Sequence, residues 1–191
     1  MGAIRWALQW MAHFLRGVDT MAKKENKRNP WYALLFLGYA GIMLYFLFFR
    51  TRTFTEGLGY WEQIWENCNL IPWKTVGNYW DVLVRPEYYT AKFGSAGAYR
   101  FQAAAALINI LGNIAMFVPY GAFLPEMWRN LQKGWKVFFT GTLSIVAVEI
   151  CQLLTFCGRF DIDDVILNVI GIMMGYGLWR LAHRTPKKKK A

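Results

Sequence analysis

The sequence predicts an all-α integral membrane protein with four transmembrane helices, an N-terminal amphipathic helix and an aromatic-rich external loop. Of its 191 residues, 55% are hydrophobic and 18% are aromatic, whereas a soluble domain is nearer about 45–50% apolar. One membrane-embedded domain is therefore the simplest interpretation. The net charge of +10 comes from Lys and Arg at the ends of apolar runs and in the tails. That placement is typical of membrane topology signals and argues against nucleic acid as a partner.

Four apolar runs are long enough to be spans. The first, 31–49, is uncharged and lies between Arg28 and Arg50, and about twenty residues cross a bilayer as a helix. The other three are predicted over 101–124, 137–157 and 163–180. Pro119 should kink or break the second of these four helices near its end.

The two ends of the chain are predicted to be basic and cytoplasmic. Residues 1–20 place apolar side chains on one helical face, which indicates an amphipathic helix on the membrane surface. Translation from Met21 is an alternative start. We divide the chain into an N-terminal segment 1–30, a membrane domain 31–182 and a basic tail 183–191.

The segment between the first two spans mixes aromatic and charged residues. Trp61, Trp65, Trp73 and Trp80 alternate with acidic and basic side chains, as is typical of a membrane–water boundary. Short amphipathic helices are predicted at about 59–67 and 75–84, and 94–97 predicts a turn. The odd number of cysteines argues against a disulfide framework, and whether Cys68 pairs with Cys157 stays open.

The distribution of basic residues predicts the orientation of the spans. Six Lys and Arg fall in 1–30, three in the turn 125–136, and six from Arg180 onwards. Cytoplasmic segments carry such an excess, so both termini are predicted to be inside. The aromatic segment and the acidic turn 157–163 are then outside, and the polar residues within the spans fall toward the outer face.

Three aspartates lie within four positions between two apolar runs, where an ionised carboxylate is unfavourable. Asp161 and Asp164 share a helical face with Asn168, above Gly171 and Gly175, which would let another helix approach closely. Asp163 is predicted to point elsewhere, into the external loop. In the alternative interpretation, up to two of these aspartates only cap a helix.

We therefore predict a cluster of ligand-binding or otherwise functional polar residues near the outer face. Glu149, inside a span, is expected to be functional, paired or protonated, and the amides could equally be hydrogen bonds between helices. No catalytic residue and no resident cofactor is identified, although a divalent cation on Glu149, Asp161 and Asp164 is an alternative. The cluster comprises Arg50, Arg52, Asn109, Asn113, Glu149, Gln152, Asp161, Asp163, Asp164 and Asn168.

Four motifs, in chain order, resemble the VanZ-like family of bacterial membrane proteins. They are Asn69-Leu70-Ile71-Pro72-Trp73, the stretch 109–121, Glu149-Ile150-Cys151-Gln152 and the stretch 160–171. Trp73 and Tyr120 stand where Phe is usual. The resemblance covers about residues 35–180. It implies a multi-pass protein of the bacterial plasma membrane, linked to resistance to the glycopeptide teicoplanin, whose target is on the outer face. It implies no particular chemistry.

Three functions are compatible with these observations. The first is a protein that binds or shields a lipid-linked cell-wall precursor, or excludes a lipoglycopeptide, at the outer face of the bilayer. The second is an enzyme that acts on an envelope lipid or its head group with a carboxylate-bound divalent cation. The third is a small transporter coupled to ions or protons through Glu149. Oligomeric state stays open.

Overall fold

The computed structural model describes residues 30–49, 53 and 55–183. In this part of the chain, seven α-helices, two two-residue strands and one 3₁₀ turn, Arg129–Leu131, follow one another. The helices are α1 (Pro30–Phe48), α2 (Tyr60–Glu66), α3 (Lys74–Val84), α4 (Pro86–Phe93), α5 (Ala96–Met127), α6 (Gly134–Thr155) and α7 (Ile162–Ala182), and the strands are β1 (Cys68–Asn69) and β2 (Phe160–Asp161). The predicted N-terminal amphipathic helix, most of the basic tail, Arg50 and Arg52 lie outside the described residues.

Four of these helices, α1, α5, α6 and α7, are long and apolar enough to cross a membrane. The predicted fold class, an all-α integral membrane protein, is confirmed. The largest difference from the predicted limits is in α5, which begins earlier because Ser95 caps it: the Ser95 hydroxyl accepts a hydrogen bond from the Ala98 N–H at 3.1 Å.

Of the two predicted effects of Pro119, a kink or a break, the break is wrong. α5 continues for 32 residues through Pro119 and Pro125 to Met127, so Pro125 is helical rather than the start of a turn. A proline in a helix removes one backbone hydrogen bond, and packing against a neighbouring helix can compensate. α7 supplies that packing, because Gly121 lies directly against the backbone of Ile172.

The segment before α5 contains one helix more than predicted. α2 and α3 occupy the two predicted positions, and α4 follows with Pro86 in its first turn and Gly94, in the left-handed region at φ 79°, at its end. Asp81 links the two later helices, since its carboxylate accepts hydrogen bonds from Arg85 at 3.3 Å and from the Tyr89 hydroxyl at 2.9 Å. The hydrogen bond to Asp81 raises the pKa of Tyr89 above its usual value.

The described residues divide into two compact units. The first contains the described chain up to Asn69 together with Ala147–Phe160. Two buried amides organise its loop: the Asn67 side chain donates to the Thr53 carbonyl at 3.2 Å, and Gln63 is 2% exposed. Thr53 in turn donates its N–H to the Phe156 carbonyl at 3.0 Å, so the loop is held to the end of α6.

The second unit contains Leu70–Val146 and the chain from Asp161 onwards, and its centre is the contact between α5 and α7. Three contacts follow one another along both helices: Asn113–Asp164, Val118–Gly175 and Glu126–Trp179. Because residue numbers rise together in both helices, α5 and α7 run in the same direction. Two such helices enter a membrane from the same side, which agrees with the predicted order of the spans.

Glycines allow these two helices to touch backbone to backbone. A Cβ atom placed on Gly171 would overlap the Ile114 carbonyl oxygen, and one on Gly175 would overlap that of Val118. The predicted close approach along this face is therefore confirmed. Contact at this range permits Cα–H···O interactions as well as dispersion between the two helices.

Candidate functional site

Asp163 lies at the start of α7 and is completely buried, at 0% exposure. One carboxylate oxygen accepts the N–H of Trp73 at 2.5 Å, and the other accepts those of Thr75 at 2.8 Å and Val76 at 3.0 Å. These are N-terminal amides of α3, which have no partner within their own helix. Asp163 therefore joins the start of α7 to the start of α3.

Trp73 adopts an unusual backbone conformation beside this carboxylate. Its φ of 65° and ψ of 5° lie in the left-handed region, which is unfavourable for a non-glycine residue by roughly 1–2 kcal/mol. Successive amides next to a left-handed residue form a concave anion-binding surface. The three hydrogen bonds to Asp163 occupy that surface and offset the strain.

Asp161 is the N-cap of α7 and faces the same segment. One oxygen accepts the Asp163 N–H at 2.9 Å, and the other accepts the Thr75 hydroxyl at 2.5 Å. The capping alternative is thus confirmed for Asp161. Asp161 precedes the helix with an extended backbone, φ −127° and ψ 121°, so the helical spacing that grouped it with Asp164 does not apply to it.

Asp164 is the aspartate that connects α7 to α5. It is half-buried, and one of its oxygens accepts a hydrogen bond from the Asn113 amide of α5 at 2.5 Å. Asn168, one helical turn later, is 3% exposed, and its side-chain oxygen has no hydrogen-bond partner among the described residues. Asn109 does not join this group, since it is exposed and donates only to the Ala105 carbonyl of its own helix at 2.8 Å.

Glu149 and Gln152 belong to the first compact unit. Gln152 donates its side-chain N–H to the Leu47 carbonyl at 2.7 Å and so links α6 to α1, as expected of an amide between helices. Glu149 is buried in α6 at 4% exposure. Arg159, which could have balanced the acidic turn, is exposed.

The alternative of a divalent cation on Glu149, Asp161 and Asp164 gains no support here. Within residues 30–49, 53 and 55–183, no group of three or more His, Cys, Asp or Glu side chains is arranged to hold a metal ion. Both oxygens of Asp161 already accept hydrogen bonds from the protein. No disulfide joins Cys68, Cys151 and Cys157, all three of which are described.

Two site residues were not anticipated from the sequence, Thr75 through its hydroxyl and Trp73 through its backbone. Thr75 follows the Asn69-Leu70-Ile71-Pro72-Trp73 motif by two positions. That motif lies outside the spans, and it was the available signal that this part of the loop has a structural partner.

We expect Thr75→Val to lower the free energy of unfolding by about 1 kcal/mol, because valine keeps the shape of threonine but cannot donate to Asp161. Urea titration of the purified protein in detergent, followed by tryptophan fluorescence, measures this. Thr90→Val in α4 is the matched control, since the Thr90 hydroxyl makes no hydrogen bond within the described structure. Equal losses in the two variants would contradict the role given to the hydroxyl.

Comparison with known proteins places these residues within a family. Residues 36–183 match the family model described as VanZ/LLP1. Over 90 residues the chain is 30% identical to Protein VanZ of Enterococcus faecium, an alignment that covers 47% of this chain and 55% of that protein. The chain thus spans about half the length of the curated relative it matches. No solved structure matches it. The chain belongs to the VanZ/LLP1 family.

Proposed function

We propose that this protein is a multi-pass protein of the bacterial plasma membrane that confers glycopeptide resistance by binding or shielding a lipid-linked envelope component at the outer face. The observation that carries the proposal is the contact between Asp164 and Asn113, which holds a half-buried carboxylate between two membrane-length helices. A charged group within a membrane span is unfavourable, and such residues usually serve a function such as binding a ligand or an ion.

The neighbouring aspartates have structural partners, which leaves Asp164 as the candidate for ligand binding. Asp163 accepts three backbone amides, and Asp161 caps α7 and accepts the Thr75 hydroxyl. Asp164 accepts one hydrogen bond from the described residues. Asn168 adds a buried oxygen on the same helix. Asp164 and Asn168 therefore each have an oxygen that can accept a hydrogen bond from a ligand, whereas the oxygens of Asp161 and Asp163 already accept hydrogen bonds from the protein.

The charge distribution supports an outward position for this group. The start of α7, which carries Asp161 and Asp164, lies beside Asn113 partway along α5, and both helices end near the basic turn that contains Arg129, Lys133 and Lys136. An excess of basic residues marks the cytoplasmic side, so we assign the acidic end to the outer face and both termini to the cytoplasm. Exposed Trp73 and Trp80, in the segment that precedes α5, suit contact with lipid head groups.

The test is glycopeptide tolerance in a sensitive bacterium that produces this protein. We expect the wild-type chain to raise the inhibitory concentration of teicoplanin and Asp164→Ala to return it to the level of the host, because the variant lacks the carboxylate that holds the ligand. Asn113→Ala should have the same direction of effect. Membrane levels of each variant are measured by immunoblot, so that loss of protein is not mistaken for loss of function.

Two substitutions serve as matched controls. Asn109→Ala removes an amide from the same helix as Asn113, one turn away, where it makes only a local hydrogen bond. Asp81→Ala removes a partly exposed carboxylate that contacts Arg85 and Tyr89. Both variants should keep the wild-type tolerance. Unchanged tolerance in well-produced Asp164→Ala, or no tolerance conferred by the wild-type chain, would refute the proposed function.

A further inference from the structure

Three oxygens near the Asp164–Asn113 contact have no donor in the described part of the chain. The Asn168 side-chain oxygen is buried without a hydrogen-bond partner. Asp164 and Asn113 make one hydrogen bond, to each other, through one carboxylate oxygen and the amide nitrogen, which leaves the second carboxylate oxygen and the amide oxygen without a donor. The group is therefore rich in acceptors and carries one negative charge.

The carboxylates of Asp161 and Asp163, next to Asp164 in the chain, have no such open oxygen. All four oxygens of Asp161 and Asp163 accept hydrogen bonds from backbone amides or from Thr75. The same short turn thus contains two carboxylates that the protein satisfies and one that it leaves with an open oxygen. Capping of α7 accounts for Asp161 and the anchoring of α3 accounts for Asp163, but neither accounts for Asp164.

Asn168 lies where a group bound by Asp164 would reach it. It follows Asp164 by four residues, so both side chains share one helical face. Side chains in a helix lean toward its N-terminus, which directs Asn168 toward Asp164. Asn168 is 3% exposed, and a buried acceptor without a donor is unfavourable and rare. A donor supplied by a ligand would satisfy it.

From this arrangement we infer that the site formed by Asn113, Asp164 and Asn168 binds a primary ammonium group. An alkylammonium carries three N–H donors, a positive charge and no acceptor, which complements the three open oxygens. A phosphate or carboxylate would place acceptors against acceptors and negative charge against Asp164. The inference rests on the proposed ligand-binding role of this site and names the chemical class of the bound group.

A primary ammonium group has two sources at a membrane surface. It belongs either to the head group of an aminophospholipid or to an amine outside the phospholipids, such as that of a lipid-linked peptide or an antibiotic. The probes that separate them are phosphatidylethanolamine, compared with phosphatidylcholine of the same chains, and dodecylamine, compared with dodecanol. Binding of each probe to the full-length protein in detergent is measured by native mass spectrometry.

We expect dodecylamine to bind saturably with one molecule per chain, and dodecanol not to bind in this way. Asp164→Asn should weaken dodecylamine binding roughly tenfold or more, because a charge-assisted hydrogen bond becomes a neutral one. Asn168→Leu, which keeps the side-chain size, should weaken it severalfold. Asp81→Asn, the exposed control, should bind dodecylamine as the wild type does.

Comparison of the two amine probes identifies the source of the ammonium group. If phosphatidylethanolamine binding depends on Asp164 as dodecylamine binding does, the source is a lipid head group; if only dodecylamine binding depends on Asp164, the source is another amine. Absence of saturable dodecylamine binding, equal binding of dodecanol, or wild-type affinity in Asp164→Asn overturns the inference. Should Asp164→Asn fail to fold, Asn168→Leu and the comparison of amine with alcohol on the wild type decide.

The binding assay and the tolerance assay fail independently. Amine binding that depends on Asp164, in a chain that confers no tolerance, keeps this inference and refutes the resistance role. Tolerance that depends on Asp164, in a chain that does not bind dodecylamine, overturns this inference alone.

Discussion

Replacing Asp163 with alanine is expected to lower the free energy of unfolding by about 3–5 kcal/mol, because three backbone donors lose a charged acceptor in a buried position. The carboxylate is 0% exposed, so water does not take its place readily. Asp163→Asn should have an intermediate effect, since the amide keeps one acceptor oxygen but sets an NH₂ group against the remaining N–H donors. Urea titration in detergent, followed by circular dichroism, measures both variants.

The matched control for this experiment is Asp81→Ala. Asp81 is also an aspartate with two partners, but it is partly exposed and its ion pair with Arg85 lies at the surface. Such a pair contributes about 0–1 kcal/mol. A second measurement shows which segment loses structure. Tryptic cleavage after Lys74 should become faster in Asp163→Ala, because Asp163 no longer anchors the start of α3. Wild-type stability in Asp163→Ala would show that another contact anchors this segment.

Gly175→Ala is expected to lower the free energy of unfolding by about 1–3 kcal/mol, as overpacking in a close contact does. The added methyl group would overlap the Val118 carbonyl oxygen, and the Ala122 nitrogen would be 2.9 Å away. These are backbone atoms, which cannot rotate aside as a side chain can, so α5 and α7 must separate. That separation would stretch the Asn113–Asp164 contact, and we expect glycopeptide tolerance to fall with stability.

Gly177→Ala, two residues along the same helix, is the control for Gly175→Ala. A Cβ atom on Gly177 has no neighbour within 4 Å, and alanine is the better helix former by roughly 1 kcal/mol. Gly177→Ala should therefore be neutral or slightly stabilising in the same titration. Equal destabilisation by the two substitutions would mean that helix propensity, rather than helix–helix contact, governs both positions.

The spans were predictable because a membrane leaves a strong signal in the sequence. An uncharged run such as 31–49 has few alternatives to a transmembrane helix, and α1 occupies Pro30–Phe48. α4 was not predicted, because the sequence PEYYTAKF shows no apolar face of helical period. The ends of α5 depended on a cap at Ser95 and on packing around Pro119, and the second of these is a tertiary effect.

The site was predictable in its location and not in its pairing. The density of carboxylates in 161–164 marks the place, since charge next to a span needs a partner. Helical spacing was the wrong argument for Asp161, because this residue is the N-cap and precedes the helix to which that spacing applies. The partners of Asp163 are backbone amides up to 90 residues away, and an amide N–H leaves no signature in a sequence. Asn113, a polar side chain within a span, did leave one.

The separation along the chain between Thr75 and Asp163 sets an order of events during synthesis. A ribosome adds about 5–20 residues per second, and 88 positions separate these partners. Asp163 is therefore synthesised roughly 4–18 s after Thr75, and during that interval the Thr75 N–H lacks this acceptor. During that time the glycine-contacting face of α5 also has no α7 beside it. A translation pause or a truncation before residue 161 would therefore expose this face and the loop to quality-control proteases.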